Sequence, residues 1–321
     1  MKSSEVDVII PVFNGERFLA EALRSVQQQT FPVAQIIIAD DGSTDGTRQV
    51  AAGFMANDER ITYLKLPHAG VSAARNAGIA ASSAPFIAFL DADDIWLPEK
   101  LELQIQAFEQ GGPEIGFVHS SYFYINQHGE SIPDMLIFEP KQRGDIFMPL
   151  LLEGYVLSGS ASSVMVRREV LDKAGHFDER LFHGEDWDLW IRLARISKVD
   201  FTPEAVVGIR VHDQSAQRRP QADREIQFFN QQLLVYAKWE ELIEHDHRLK
   251  ESLRNRACNL ALPLLRRPWR AQHFYRQMAA SESRLARSIF SGPAHFWSNI
   301  FLRVLRYIWW RTKRWVGMND Q

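Results

Sequence analysis

Over the first 125 residues, short apolar runs alternate regularly with helical patterns, which restricts this stretch to strands joined by helical crossovers. The runs are "VDVIIPV", "AQIIIAD", "ITYLKL", "PFIAFLD" and "IGFVHSSYFYI". After the first of them, Phe18, Leu19, Ala22 and Val26 form the apolar stripe of an amphipathic helix. The segment "VSAARNAGIAAS" is small and helix-forming, and a further helix follows Pro98, a residue suited to a first turn, and stops at Gly111 and Gly112. The pattern predicts an α/β fold with a mainly parallel sheet flanked by helices.

Further along, the pattern loosens. Residues 142–212 read as loops with a helix near 167–173 and another beginning at Glu185, and from about Ala222 the chain reads as helical. Two domains are expected, an α/β domain over residues 1–220 and a helical extension over residues 221–321. The formal charge of -3 conceals an asymmetry along the chain. Residues 1–249 carry 23 Lys+Arg against 37 Asp+Glu, a balance of -14, whereas residues 250–321 carry 14 against 3, a balance of +11. A basic tail on an acidic body points to a polyanionic partner, either anionic lipid or nucleic acid.

Cys258 is the only cysteine, which excludes an internal disulfide and a cysteine-built zinc cluster and suits a reducing compartment. The first apolar stretch, residues 8–12, is short and broken by a proline, unlike a signal-peptide core. No apolar run approaches the ~18 residues that cross a bilayer. A cytoplasmic, soluble or peripheral protein is expected.

Open α/β sheets bind ligands at the carboxyl ends of their strands. Here three strand ends stand out in order: "PVFNG", "ADDGSTDGT" and "FLDADD". Each alone reads as an Asp/Gly turn, but their succession on neighbouring strands is harder to explain by turn chemistry. Together with "HAGVSAARNAGI", "GEDWDLWIRL" and "RVHDQS", these motifs resemble the family 2 glycosyltransferases over about residues 6–215. The resemblance implies a GT-A-like, Rossmann-type catalytic domain, an inverting reaction, a nucleoside-diphosphate sugar donor and a divalent cation, Mg2+ or Mn2+.

It also implies roles. Asp93 contacts the metal, while Asp91 and the adjoining Ala92 lie beside the ribose or diphosphate; Asp94 is supportive. A hard cation suits this turn, since it takes carboxylate, phosphate and water oxygens together. Pro11, Phe13 and Asp41 border the nucleobase, where Asp41 accepting from an imide nitrogen would favour uracil or thymine. Arg75 faces the nucleotide or its diphosphate, helped by the N-terminus of the helix starting near Val71, with His68 and Gly70 shaping the loop. Asp186 is the general base that an acceptor hydroxyl needs, and Glu185 and Asp188 orient it. His212 completes the metal site or touches the diphosphate, and Ser160 and Ser162 line the acceptor side. The plainer alternatives stay open: Asp40 and Asp41 also suit a turn cap before Ser43, and Glu185 and Asp186 suit a helix first turn. A retaining mechanism would need a nucleophile that the sequence does not identify.

The last stretch, "HFWSNIFLRVLRYIWWRTKRWV", is lopsided when wound at about 100° per residue. Arg303, Arg306, Arg311, Lys313 and Arg314 fall on one half, and Trp297, Phe301, Val304, Leu305, Ile308, Trp309, Trp315 and Val316 on the other; Tyr307 and Trp310 intrude among the charges. Such a helix lies in a membrane interface. The same face could instead pack on protein, including a second copy; no nucleic-acid-binding motif is recognisable, so nucleic acid is not expected as a partner. The function expected is transfer of a sugar to a glycan or lipid-linked glycan at the inner face of the cell membrane, in cell-surface polysaccharide or lipid-linked glycan synthesis. The rival is a non-catalytic sugar-nucleotide-binding module of a glycan-assembly complex. A nucleotidyltransferase fits less well, because the segment after the first strand holds one glycine and no basic Gly-rich loop.

Overall fold

The computed structural model of the chain describes residues 5–133, 135, 140–154, 156–157, 160–213 and 224–264. The chain divides into two compact units, Met1–Arg219 and Pro220–Gln321.

In the first unit, β1 (Val6–Val12), α1 (Leu19–Gln27), β2 (Val33–Asp40), α2 (Thr47–Met55), β3 (Ile61–Lys65), α3 (Val71–Ala81) and β4 (Phe86–Phe89) follow one another, all but α2 as the sequence predicts. β1 lies parallel to both β2 and β4, and β2 parallel to β3. Val8, Ile9 and Ile10 on β1 and Ile36, Ile37 and Ile38 on β2 are all 0% exposed, which explains why these strands read as continuous β-branched runs and not as alternating ones. α3 packs directly on β1 and β2. Gly78 permits this approach, since a Cβ there would sit 2.4 Å from Ile9 Cγ2.

The remaining elements are β5 (Ile95–Trp96), α4 (Lys100–Gly111), β6 (Ile115–Ile125), α5 (Phe147–Glu153), a 3-10 turn (Ala161–Ser163), β7 (Val164–Arg167), α6 (Arg168–Ala174), α7 (Glu185–Ile196) and β8 (Lys198–Arg210). They extend the sheet to the order β3-β2-β1-β4-β7-β6-β8-β5. β7 enters antiparallel between β4 and β6, with Met165 opposite both Ala88 and Val118. β6 and β8 run parallel, and β5 closes the edge antiparallel to β8. The sheet is therefore mixed, parallel through β3-β2-β1-β4 and interleaved beyond. Three strands in this region, β5, β7 and β8, and helix α5 do not stand out in the sequence. β7 has four residues, and β8 carries Pro203 and Glu204 where its register against β6 slips between Ser120 and Ser121. That slip is a bulge, a place where a strand tolerates proline, and Ser121 Oγ donates to Pro203 O there at 2.8 Å.

α7 is pinned by its tryptophans. Trp187 and Trp190 are at most 1% exposed; Trp187 Nε1 donates to Leu150 O on α5, and Trp190 stacks over Phe117 of β6 at 6.2 Å. Burying large aromatics of this kind contributes on the order of 2–3 kcal/mol each, so the N-terminal end of α7 is rigidly placed.

The second unit shows helices α8 (Arg224–Ala237), α9 (Glu240–His245) and α10 (His247–Leu264), with α10 beside both others. Leu233, Val235, Tyr236, Ile243, Leu249 and Leu253 are buried. Among the described residues, no helix is long and apolar enough to cross a membrane. The amphipathic stretch that begins after Pro293 lies outside the described residues.

Candidate active site

The carboxyl ends of β1 and β2 are laced together by their loops. Asn14, held at a φ of 51°, donates from its backbone N–H to Ser43 Oγ at 2.8 Å, and its Oδ1 accepts from Thr44 N at 2.8 Å. Gly15 N donates to Thr47 Oγ1, and Glu16 Oε2 accepts from Gly46 N. Asp40 is buried and points into its own turn, accepting from Ser43 N at 2.8 Å and from the Tyr63 hydroxyl. Burial first, then the Asp40 carboxylate, push the Tyr63 phenol up to about 12.

Asp41 faces the start of α3. Its Oδ1 accepts from Ala69 N at 2.7 Å, its Oδ2 from Gly70 N at 2.9 Å, and His68 Nδ1 lies 2.8 Å from Oδ2. Hydrogen bonds to a carboxylate are worth about 1.5–3 kcal/mol each, so this residue anchors the loop ahead of α3. The two N–H groups just before the helix are thereby taken by a carboxylate of the protein itself. Phe13, 48% exposed, stacks on His68 with ring centroids 4.3 Å apart. Pro11 is buried in β1 opposite Ala39. Thus Phe13, His68 and Asp41 come together in one corner, while Asp40 turns away from it.

The "DADD" turn follows β4. Asp94 is buried and secures the turn: its Oδ2 accepts from Ser162 Oγ at 2.6 Å and its Oδ1 from Arg210 N at 2.9 Å. Burial, then the charges of Asp93 and Asp91, raise its carboxyl well above the usual range. Ala92 packs against the main apolar cluster. Asp93 Oδ2 lies 3.0 Å from His212 Nε2, so two residues 119 apart in sequence meet. Asp91 accepts from Arg75 Nη2 at 2.8 Å; burial raises its carboxyl, opposed by Arg75 and reinforced by Asp93.

Arg75 is the link to α7. Only 4% exposed, it gives its other terminal nitrogen to Glu185 Oε1 at 2.9 Å and lies over the Phe177 ring at 5.1 Å. Burial alone would weaken its charge, but Asp91 and Glu185 hold it above its ordinary value. Gly184 precedes the helix at φ 77°, ψ 16°, a left-handed conformation that glycine adopts without strain and that turns the chain into α7. Asp186 follows in the first turn at 7% exposure, its Oδ1 accepting from Trp187 N at 2.7 Å. Burial, then the Glu185 carboxylate, push its carboxyl up to about 8, with Arg75 pulling the other way. Asp188, at 0% exposure, is structural: it pairs with Arg192, whose guanidinium also donates to Ala174 O, Gly175 O and His176 O.

Three groups therefore stand out: an aromatic corner at the ends of β1 and β2, an aspartate turn after β4 joined to a histidine, and a buried carboxyl at the start of α7 whose neighbour shares an arginine with that turn. The sequence profile of "Glycosyl transferase family 2" matches residues 7–175, more than half of the chain, from β1 to the end of α6. The chain belongs to glycosyl transferase family 2. A glycosyltransferase of Rickettsia typhi is 31% identical over 212 residues, covering 65% of this chain and 64% of that one. This chain thus spans a little under two thirds of that relative. The Escherichia coli enzyme WfgD, a UDP-Glc:α-D-GlcNAc-diphosphoundecaprenol β-1,3-glucosyltransferase, is 31% identical over 195 residues, covering 60% of this chain and 71% of its own length. Among solved structures, Staphylococcus aureus TarS 1–349 with UDP-GlcNAc superposes with a TM-score of 0.59 at 15% identity, covering 89% of this chain and 88% of that one. The Pyrobaculum calidifontis mannosyltransferase PcManGT, with GDP-Man and Mn2+, gives 0.55 at 17% identity, covering 92% and 83%. These likenesses show the GT-A fold.

As a family 2 transferase, the chain holds residues that sequence reasoning passed over. Arg210 is fully buried in its side chain and donates to Asp93 O at 2.7 Å and to Glu21 Oε2 at 2.6 Å, clamping the aspartate turn to α1. The signal was a lone arginine ending the apolar run "AVVGIR", two residues before His212. Asn76 ties α3 to the loop ahead of α7, donating to Phe177 O and accepting from Phe177 N. The pair Asp93 and His212 offers one carboxylate oxygen and one imidazole nitrogen, a donor set that Mg2+ or Mn2+ accepts. Among the described residues, no cluster of three or more His, Cys, Asp or Glu has the geometry of a metal site. Two donors are few for such an ion, so a cation held by this pair would draw its remaining ligands from outside the protein.

Proposed function

We propose that this transferase moves a sugar, with inversion at the anomeric carbon, from a nucleoside-diphosphate sugar to a hydroxyl of a glycan or lipid-linked glycan. The carrying observation is the Arg75 bridge, which puts Asp91 of the aspartate turn and Glu185, next to Asp186, on one guanidinium. That contact supports one site for the carboxylates we assign to the donor and acceptor sides.

Asp186 is the general base. Its oxygen takes the proton of the acceptor hydroxyl as that oxygen attacks from the face opposite the departing diphosphate, and a single displacement inverts the centre. A carboxyl raised to about 8 is a stronger base than an ordinary aspartate, which favours proton transfer near neutral pH. Glu185 is committed to Arg75, which leaves the base role to Asp186. Asp91 and Ala92 border the ribose and diphosphate; Phe13, Pro11 and Asp41 border the base, supported through Asp40. A divalent cation held by Asp93 and His212 would offset the charge of the departing diphosphate.

A UDP-sugar is the donor we infer. WfgD by its name uses UDP-Glc, TarS was crystallised with UDP-GlcNAc, and Asp41 stands beside the exposed ring of Phe13's partner His68. Release of UDP from UDP-glucose and UDP-GlcNAc, measured with Mn2+ and then with chelator, tests the reading. Chelator-sensitive release is expected; binding of these donors without release or transfer under any metal would favour the non-catalytic rival.

The acceptor we infer is lipid-linked, as in the name of WfgD, and met at the cytoplasmic face of the membrane. The excess of 14 Lys+Arg over 3 Asp+Glu in residues 250–321 supports attraction to an anionic surface, at about 1 kcal/mol for each cation near it. Flotation with anionic liposomes should carry the full chain and release a form lacking residues 294–321; equal flotation of both would remove the tail from membrane binding.

A further inference from the structure

Ser162 holds the aspartate turn from beneath. It stands in the 3-10 turn Ala161–Ser163 and is 0% exposed, so the hydroxyl expected on the acceptor side is out of reach of any acceptor. That hydroxyl can donate one proton and accept others, and both capacities are used on the same turn. Its oxygen accepts from Asp91 N at 3.0 Å, and its proton goes to Asp94 Oδ2 at 2.6 Å. Asp94 N in turn donates to Asp91 O at 3.0 Å. Hydrogen bonds thus close a ring through the first and last residues of "DADD", completed by one atom from a segment 71 residues further on.

The ring rests on a fixed base. Trp96 Nε1 donates to Ser162 O at 2.8 Å, Gln104 Nε2 donates to Ser163 O at 2.8 Å, and Ser160 Oγ accepts from Ser162 N at 3.2 Å. Trp96 and Gln104 are buried, so the 3-10 turn cannot shift without breaking interior hydrogen bonds to β5 and α4. On the far side of the ring, Asp94 Oδ1 accepts from Arg210 N at 2.9 Å and Arg210 Nε donates to Asp93 O at 2.7 Å. These bonds bring the end of β8, two residues before His212, against the turn. The Asp93 carboxylate stands clear of this frame, 37% exposed and 3.0 Å from His212 Nε2.

We propose that Ser162 is a positioning residue for the metal pair: by closing the ring, its hydroxyl keeps the Asp93 carboxylate in register with His212. Ser162 touches neither donor nor cation and acts through Asp91 and Asp94. Residues behind metal ligands orient them in this way, and a ligand freed of its support loses affinity for the ion. The proposal rests on the transferase reading above, with Asp93 and His212 toward the cation, and adds the residue that holds that pair together.

The test compares the full-length wild type with Ser162→Ala, Ser162→Thr and Ser162→Val, with thermal melting to establish that each is folded at the assay temperature. Thr and Val have nearly the same shape and differ in the hydroxyl, so their difference reports the ring and not the room around it. Mn2+ binding in the presence of UDP, followed by the EPR signal of free Mn2+, reads the pair as ligands without any turnover. The nitrogen NMR shifts of the His212 imidazole in the metal-free chain at one pH, assigned with His212→Gln, read its contact with Asp93. Ser162→Ala and Ser162→Val should lose about tenfold to hundredfold in Mn2+ affinity, and Ser162→Thr should stay within about threefold of wild type. The His212 shifts should move in Ser162→Ala and Ser162→Val but not in Ser162→Thr, while those of the exposed His247 stay in place. Wild-type Mn2+ affinity and His212 shifts in Ser162→Ala would overturn the proposal, as would equal losses in Ser162→Thr and Ser162→Val. Should the two β-branched variants unfold, Ser162→Ala against wild type decides alone. Absence of Mn2+ binding in the wild type would strike the metal reading instead, and the His212 shifts would still decide the role of Ser162.

Discussion

Both flanks of this sheet bury carboxylates, yet they hold them by different means. At the ends of β1 and β2, acids are fixed by backbone N–H groups of the adjoining loops: Asp40 by Ser43 N three residues on, Asp41 by the backbone of residues 69 and 70. From the turn after β4 across the β7-β6-β8-β5 flank, the acids depend on side chains and partners far along the chain. Asp94 needs Ser162 and Arg210, Asp93 meets His212, and Asp186 is set by tryptophans anchored on α5 and β6. For the proposed reaction, acids fixed by adjoining loops would suit a nucleotide of constant shape, and acids assembled from distant segments would suit acceptors that differ.

Arg75 is the seam between the flanks, and removing it is the hardest blow to this comparison. Arg75→Ala would leave Asp91 and Glu185 without their shared cation, a loss of about 3–5 kcal/mol for an interior pair stripped of one partner. Thermal melting should fall by roughly 6–20 °C, together with transfer activity; a variant that melts within about 2 °C of wild type by the same scale would show that the flanks are held together by other contacts. The pH profile is gentler. The base role proposed for Asp186 needs its deprotonated form, and its carboxyl is raised to about 8, so kcat/KM should climb with pH and level off above about 8. Below that, each unit costs about tenfold, giving a roughly hundredfold deficit at pH 6. A profile flat from pH 5 to 9 would remove the raised carboxyl from the rate-determining chemistry.

The same contrast explains what the sequence made legible. The local flank announces itself: β-branched runs end in "ADDGSTDGT" and "FLDADD", whose acids sit at strand ends as expected, and α3 begins at Val71 as read. The other flank hides. β7 is too short for a periodic signal, β8 is interrupted by Pro203 at its bulge, and α5 spans seven residues. Asp93 and His212 were paired by resemblance and not by any local pattern, since 119 residues separate them. Arg210 and Asn76 escaped because their partners lie across the fold: an arginine whose head is wholly buried reads, in sequence, like one on the surface. Asp41 illustrates the converse. The turn cap before Ser43 is made by Asp40, whereas Asp41 accepts from the N–H groups of residues 69 and 70 ahead of α3, so the nucleobase role proposed for Asp41 would be shared with that task.

The central claim is a division of labour between two distant carboxylates in one site, and titrating a UDP-sugar into Asp186→Asn and Asp93→Ala with Mn2+ present, followed by transfer assays on the same samples, tests it most directly. Asp186→Asn should bind donor within about twofold of wild type while losing about 10²–10⁴ in transfer rate. Asp93→Ala should lose the Mn2+-dependent part of donor binding, at least about tenfold. Wild-type transfer by Asp186→Asn, or donor binding by Asp93→Ala that still responds fully to Mn2+, would contradict the account.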